Sequence, residues 1–79
     1  AMKLSSKDQR RLEVLDALMP RLAADIAAHE KRLEDADLYA RDPTAFDRLM
    51  TELSRAREEL AAAEEEWLLL EEKKEALGA

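Results

Sequence analysis

The sequence predicts an all-α chain: an antiparallel two-helix hairpin that forms an intramolecular coiled coil, kinked near Pro20. Three observations predict it. Charged residues make up 41% of the 79 residues and aromatics 4%, in the Ala/Glu/Leu/Arg/Lys-rich mix of long helices. Apolar residues recur at alternating spacings of three and four along two stretches. Between those stretches lies Asp42-Pro43, a break followed at once by a new helix start.

The first helix is expected over roughly residues 6–36. Ser5 or Ser6 is placed to cap it, with Asp8 and Gln9 in its opening turn. Its seam is Leu12, Leu15, Met19, Leu22, Ile26, His29, Leu33 and Ala36. Pro20 interrupts it. A proline inside a helix removes one backbone hydrogen bond and crowds the preceding turn, at a cost of about 3 kcal/mol. The heptad nevertheless keeps its phase across Pro20, which favours a kink over a break.

The second helix is expected over roughly residues 43–77. Asp42 offers a capping oxygen, and Pro43 sits at the first helical position, where no N–H is needed. Its seam is Phe46, Leu49, Leu53, Ala56, Leu60, Ala63, Trp67, Leu70, Lys74 and Leu77, and Gly78 reads as the stop.

Two in-phase seams joined by a short connector pack antiparallel. With the turn centred on Arg41, the layers are Ala36–Phe46, Leu33–Leu49, His29–Leu53, Ile26–Ala56, Leu22–Leu60, Met19–Ala63, Leu15–Trp67 and Leu12–Leu70. Each seam alanine meets a larger partner, so the layers fill. Across the seam, Arg32 and Glu52 are expected to approach. Within the second helix, Arg48–Glu52 and Arg55–Glu59 are the expected pairs.

Composition narrows the chemistry. The chain has no cysteine, so it has neither disulfide nor thiolate chemistry. No Gly-rich phosphate loop, nucleophile elbow or metal-ligand cluster is present, so no catalytic, cofactor or metal residue is expected and the chain is read as non-enzymatic. His29 is the single histidine and reads as a packing residue. The runs Glu64-Glu65-Glu66 and Glu71-Glu72 read as a solvated face. Trp67 reads as a core anchor, with a ligand platform as its alternative. No apolar run approaches the ~18 residues of a membrane span, and a cytoplasmic chain with no membrane partner is expected. Ala1-Met2 reads as a cloning scar ahead of one domain, 3–79.

Charge is unevenly spread. The N-terminal stretch holds Lys3, Lys7, Arg10 and Arg11 against Asp8. Residues 58–75 hold eight glutamates against Lys73 and Lys74. The tip offers Lys31, Arg32, Arg41 and Arg48 among aspartates. Nucleic-acid contact is expected to use these two basic groups and to avoid the glutamate-rich part of the second helix. Val14, Leu18, Leu68 and Leu69 lie off the seam near the open end. Either the stretch around Leu4 covers them or they form a protein-docking surface. A homodimer of the fragment is a further partner the sequence admits.

Four strings carry a resemblance. They are Lys3 to Glu13 (KLSSKDQRRLE), Leu18-Met19-Pro20, Leu38 to Phe46 (LYARDPTAF) and Glu64 to Glu71 (EEEWLLLE). Together they resemble the C-terminal domain of ABC-F ATPases of the Uup type. In that family a KLSYKEQRELE-like stretch and LP precede a hairpin with an LYxxDPxxF tip and an EERWLELEE end. The match spans nearly the whole chain. Here Ser6 replaces an aromatic and Leu69 a polar residue. The resemblance implies a larger parent with two ATP-binding cassettes and no membrane domain. ATP and Mg would bind in those cassettes, upstream of this fragment, which needs no cofactor. It implies a non-catalytic accessory arm that helps the ATPase engage DNA, or the ribosome with its ribosomal and transfer RNA. The rival reading is a structural coiled coil that docks on its own ATPase domains or on another protein.

Overall fold

The computed structural model describes residues 2–78. The Ala1 half of the Ala1-Met2 reading therefore lies outside the described residues. Three helices follow in order: α1 (Ser6–Leu33), α2 (Leu38–Arg41) and α3 (Pro43–Gly78). The first and third are long and pack side by side as a hairpin, giving a rod of 60 × 17 × 14 Å. The fold is the predicted all-α hairpin.

Local chemistry sets the helix ends. The Ser5 hydroxyl accepts from the Asp8 N–H at 3.1 Å, which caps α1. The Gln9 side-chain amide donates to the Leu4 carbonyl at 2.8 Å, and Leu4 is buried. Helix α1 then runs through Pro20 without interruption. Pro20 is exposed, so its missing hydrogen bond frees a carbonyl that water can reach. At α3, the Asp42 carboxylate accepts from the Ala45 N–H at 3.0 Å, and Pro43 is the first helical residue, as expected.

The core is the seam. Leu12, Leu15 and Leu22 of α1 and Leu49, Leu53, Ala56 and Ala63 of α3 are buried. Met19, Ile26, His29, Leu33, Leu60, Trp67 and Leu70 are half-buried, as suits a two-stranded coil with no third layer.

The cross-helix polar contacts agree with the predicted register. The Trp67 indole N–H donates to Asp16, the neighbour of Leu15, at 3.0 Å. Arg11, next to Leu12, pairs with Glu66, next to Trp67. Glu30, next to His29, pairs with Arg57, next to Ala56. The two arginine pairs each bridge two successive predicted layers diagonally, whereas Lys73 meets Asp8 almost straight across. The expected straight-across pair Arg32–Glu52 and the in-helix pairs Arg48–Glu52 and Arg55–Glu59 are absent among the described residues. The diagonal carries Arg11–Glu66 and Glu30–Arg57 because side chains beside the seam lean along the helix and reach the next layer.

Two corrections concern the ends. Helix α1 stops at Leu33, and Ala36 is exposed, so the Ala36–Phe46 layer does not form. The backbone there tightens to three-residue turns, with Glu34 donating to Lys31 and Asp35 to Arg32. The Asp35 side chain accepts from the Asp37 N–H at 3.0 Å and from Arg41 at 2.7 Å. A carboxylate that recruits its own backbone competes with helix. Leu38 then takes the buried place at the tip, and Tyr39 meets Phe46 edge to face, with ring centroids 5.2 Å apart. Gly78 is the last helical residue and has no positive φ, so it is not a left-handed cap.

Candidate functional site

The expected basic residues divide by environment. Lys3, Lys7 and Arg10 at the open end and Lys31, Arg32 and Arg48 toward the tip are exposed, and none takes part in an ion pair among the described residues. Arg11 and Arg41 are different. Arg11 holds both oxygens of Glu66, with Nε and a terminal nitrogen at 2.5 and 2.8 Å. Its guanidinium pulls the Glu66 carboxyl below its ordinary range by hydrogen bond and by charge. Arg41 is held by Asp35, whose carboxyl is lowered first by that hydrogen bond and then by the Asp37 N–H. A cation already held by a carboxylate has less to offer a phosphate. Lys73 pairs with Asp8 at 2.8 Å, which removes the one acid of the N-terminal stretch from competition and lowers its carboxyl.

The two basic groups stand far apart. Lys7 and Lys31 lie on one unbroken helix, 24 residues apart. At 1.5 Å per residue that is roughly 36 Å. No compact ligand touches both.

The expected apolar surface also divides. Val14 and Leu69 share a shallow groove with Lys7, Arg10, Arg11 and Leu70. Leu68 lines a different one, beside Trp67 and Glu72. Val14, Leu68 and Leu69 stay exposed at 46%, 51% and 60%, while Leu18 is half-buried. Leu4 does pack down, but it sits near Leu12, Glu71 and Lys74 and leaves Val14, Leu68 and Leu69 open. His29 and Trp67 both keep the seam positions read for them, and Trp67 is tied to α1 through Asp16.

The sequence reading passed over Arg21. It is exposed on α1 between the two basic groups and outside every ion pair among the described residues. The signal was present in the heptad: Arg21 falls in the same outward row as Lys7, Val14 and Ala28. A tally by stretch of sequence, rather than by helix face, hides it.

No helix of the described residues is long and apolar enough to cross a membrane, and no group of three or more His, Cys, Asp or Glu among them gathers to hold a metal ion.

Comparison with known proteins fits this geometry. No solved structure matches the chain. It is 56% identical over 75 residues to the ATP-binding protein Uup of Caulobacter vibrioides (strain ATCC 19089 / CIP 103742 / CB 15), which covers 95% of this chain. The chain spans 12% of the length of that relative. The family model for the ABC transporter C-terminal domain matches residues 3–72, so the match takes in the N-terminal cap, the tip and the tryptophan layer. The chain belongs to the ABC transporter C-terminal domain family, as the C-terminal domain of an ABC-F, Uup-type protein.

Proposed function

We propose that the chain is a non-catalytic accessory arm of a soluble, cytoplasmic ABC-F ATPase, and that it helps the ATPase engage nucleic acid, as DNA or within the ribosome. ATP and Mg act in the parent's cassettes, and the arm contributes reach and contact. The observation that carries the reading is the set of exposed, uncommitted cations Lys3, Lys7 and Arg10 at the open end. These cations stand out on a chain of net charge −6, which as a whole repels phosphate. The relative's name, an ATP-binding protein, supports a parent ATPase.

An electrophoretic shift of DNA or RNA at physiological salt tests the proposal. Neutralising Lys7, Arg10 and Arg11 together should weaken binding and flatten its salt dependence. Unchanged affinity counts against the reading. The exposed Val14 and Leu69 favour one rival, docking on the parent's own ATPase domains or another protein. Binding to protein with no shift of either nucleic acid selects that rival.

A further inference from the structure

Helix α1 has a second row, opposite its seam. Lys7, Arg10, Val14, Ala17, Arg21, Ala24, Ala28 and Lys31 repeat at the same alternating three-four spacing. At 3.6 residues per turn the row lies about 160° around the helix from the buried seam. All eight residues are exposed. Four are cations, none is an anion, and the rest are alanines and one valine. Arg32 stands beside its tip end. Glu13 and Asp25 border the row on its two sides without entering it. The corresponding outward row of α3 is mixed: Arg48 and Arg55 stand toward the tip, and Glu58, Glu65 and Glu72 toward the open end. The outer edge of α1 is therefore free of anions along its length while that of α3 mixes both signs, a difference that the net charge conceals.

The spacing of the cations identifies what such an edge fits. Arg10 to Arg21 is eleven residues and Arg21 to Lys31 is ten, so the steps are about 16 and 15 Å. A straight rod laid along a B-form duplex meets one phosphate strand or the other twice per helical turn, on average about every 17 Å. Long, flexible side chains absorb the remaining mismatch. Small residues between the cations let the helix approach closely. The row has no aromatic on which an unpaired base would stack, which is how single strands are usually held. At 17 × 14 Å in cross-section the paired helices are also too broad to enter a major groove about 12 Å wide together, so the contact is with the backbone.

We infer that the outward ridge of α1, with Arg21 at its centre, is a phosphate-binding edge that lies lengthwise along about one turn of double-stranded DNA without reading its sequence. The inference rests on the nucleic-acid reading above and relocates the contact: it joins the two basic groups and excludes Arg11 and Arg41.

The test is fluorescence anisotropy with a labelled 24-base-pair DNA duplex, and with one of its strands alone, across a salt series. Helix content is checked by circular dichroism. The chain is compared with a ridge variant (Lys7→Gln, Arg21→Gln, Lys31→Gln), with Arg21→Gln alone and with a control (Arg11→Gln, Arg41→Gln). The duplex should bind more tightly than the strand. The ridge variant should lose roughly tenfold or more in affinity, and its log–log salt slope should flatten by about 2.7. Arg21→Gln alone should flatten the slope by about 0.9, and the control should shift affinity less than about threefold. If the chain binds duplex but both ridge variants match it, the ridge is wrong and the broader reading stands. A single strand that binds as tightly as the duplex also overturns the ridge. If neither duplex DNA nor its single strand binds, the ridge falls, and if RNA also gives no electrophoretic shift, the broader reading falls with it.

Discussion

At the residue scale, Trp67 serves two purposes. Its ring fills the layer with Leu15, and its N–H donates to Asp16 at 3.0 Å. The two contributions separate by substitution. Trp67→Phe keeps most of the ring and loses one exposed hydrogen bond, so it should cost about 1 kcal/mol. Trp67→Ala should cost about 3 kcal/mol, the lower end for a tryptophan because the residue is only half-buried. Urea denaturation measures both, and equal losses would show that the hydrogen bond, not packing, matters there. The Arg11–Glu66 pair supplies a pH test. The folded Glu66 carboxyl sits below its ordinary range, so its contribution is full above the unfolded pKa and is lost as pH falls through the lower, folded one. Acid also relieves repulsion in a chain of net charge −6, which obscures the total. The difference in stability between the chain and Arg11→Gln is free of that background. It should be largest near neutral pH and shrink below the ordinary carboxylate range. A difference that grew in acid would remove the pair from the account.

At the scale of elements, helix α1 carries an evident defect and an evident support. Pro20 is exposed inside an unbroken helix, so replacing its ring by alanine gives up little burial. Pro20→Ala restores a backbone donor and should stabilise the hairpin by roughly 1–3 kcal/mol. Thermal unfolding by circular dichroism would show it, and a lowered melting temperature would mean that the proline shapes the seam. Ser5→Ala removes the side-chain cap of α1 and should cost about 1 kcal/mol, with the effect confined to the open end. Hydrogen exchange places it: added exchange near Leu33 would contradict a local role. The tip shows a different balance. Asp35 collects a backbone N–H and Arg41, α1 ends three residues early, and Leu38 is buried where the heptad had put Ala36. A larger apolar side chain replaces a smaller one, so the shorter helix costs little burial.

At the scale of the molecule, the rod has one strip of core, a basic outer edge on α1 and an outer edge of mixed charge on α3. The register decides which side chains meet across it: Arg11–Glu66 and Glu30–Arg57 meet on the diagonal and Lys73–Asp8 almost straight across. Leu22→Cys with Leu60→Cys, facing in one predicted layer of this cysteine-free chain, should therefore cross-link on oxidation more readily than Glu30→Cys with Arg57→Cys, which only long side chains bring together. The reverse order would mean a shifted register. The same geometry bears on function. Contacts at both ends of a rod about 60 Å long need an extended partner.

The sequence by itself determined the hairpin, its seam, the starts of both long helices and the family. Each rests on local chemistry or on a period: Ser5 and Asp42 cap through their own side chains, and a repeat of three and four has one amphipathic solution. Tertiary structure decided what those signals leave open. Which carboxylate holds Arg11, whether Leu4 shields Val14, and where α1 gives way to the tip are all contests between near-equal local energies. Contacts far apart in the chain, such as Glu66 with Arg11 and Trp67 with Asp16, settle them. The candidate site was half legible. The exposed cations can be read one by one, but a stretch-by-stretch tally assigns charge to ends, whereas folding sorts it by face. Arg21 became visible once the seam fixed which side of α1 points to water.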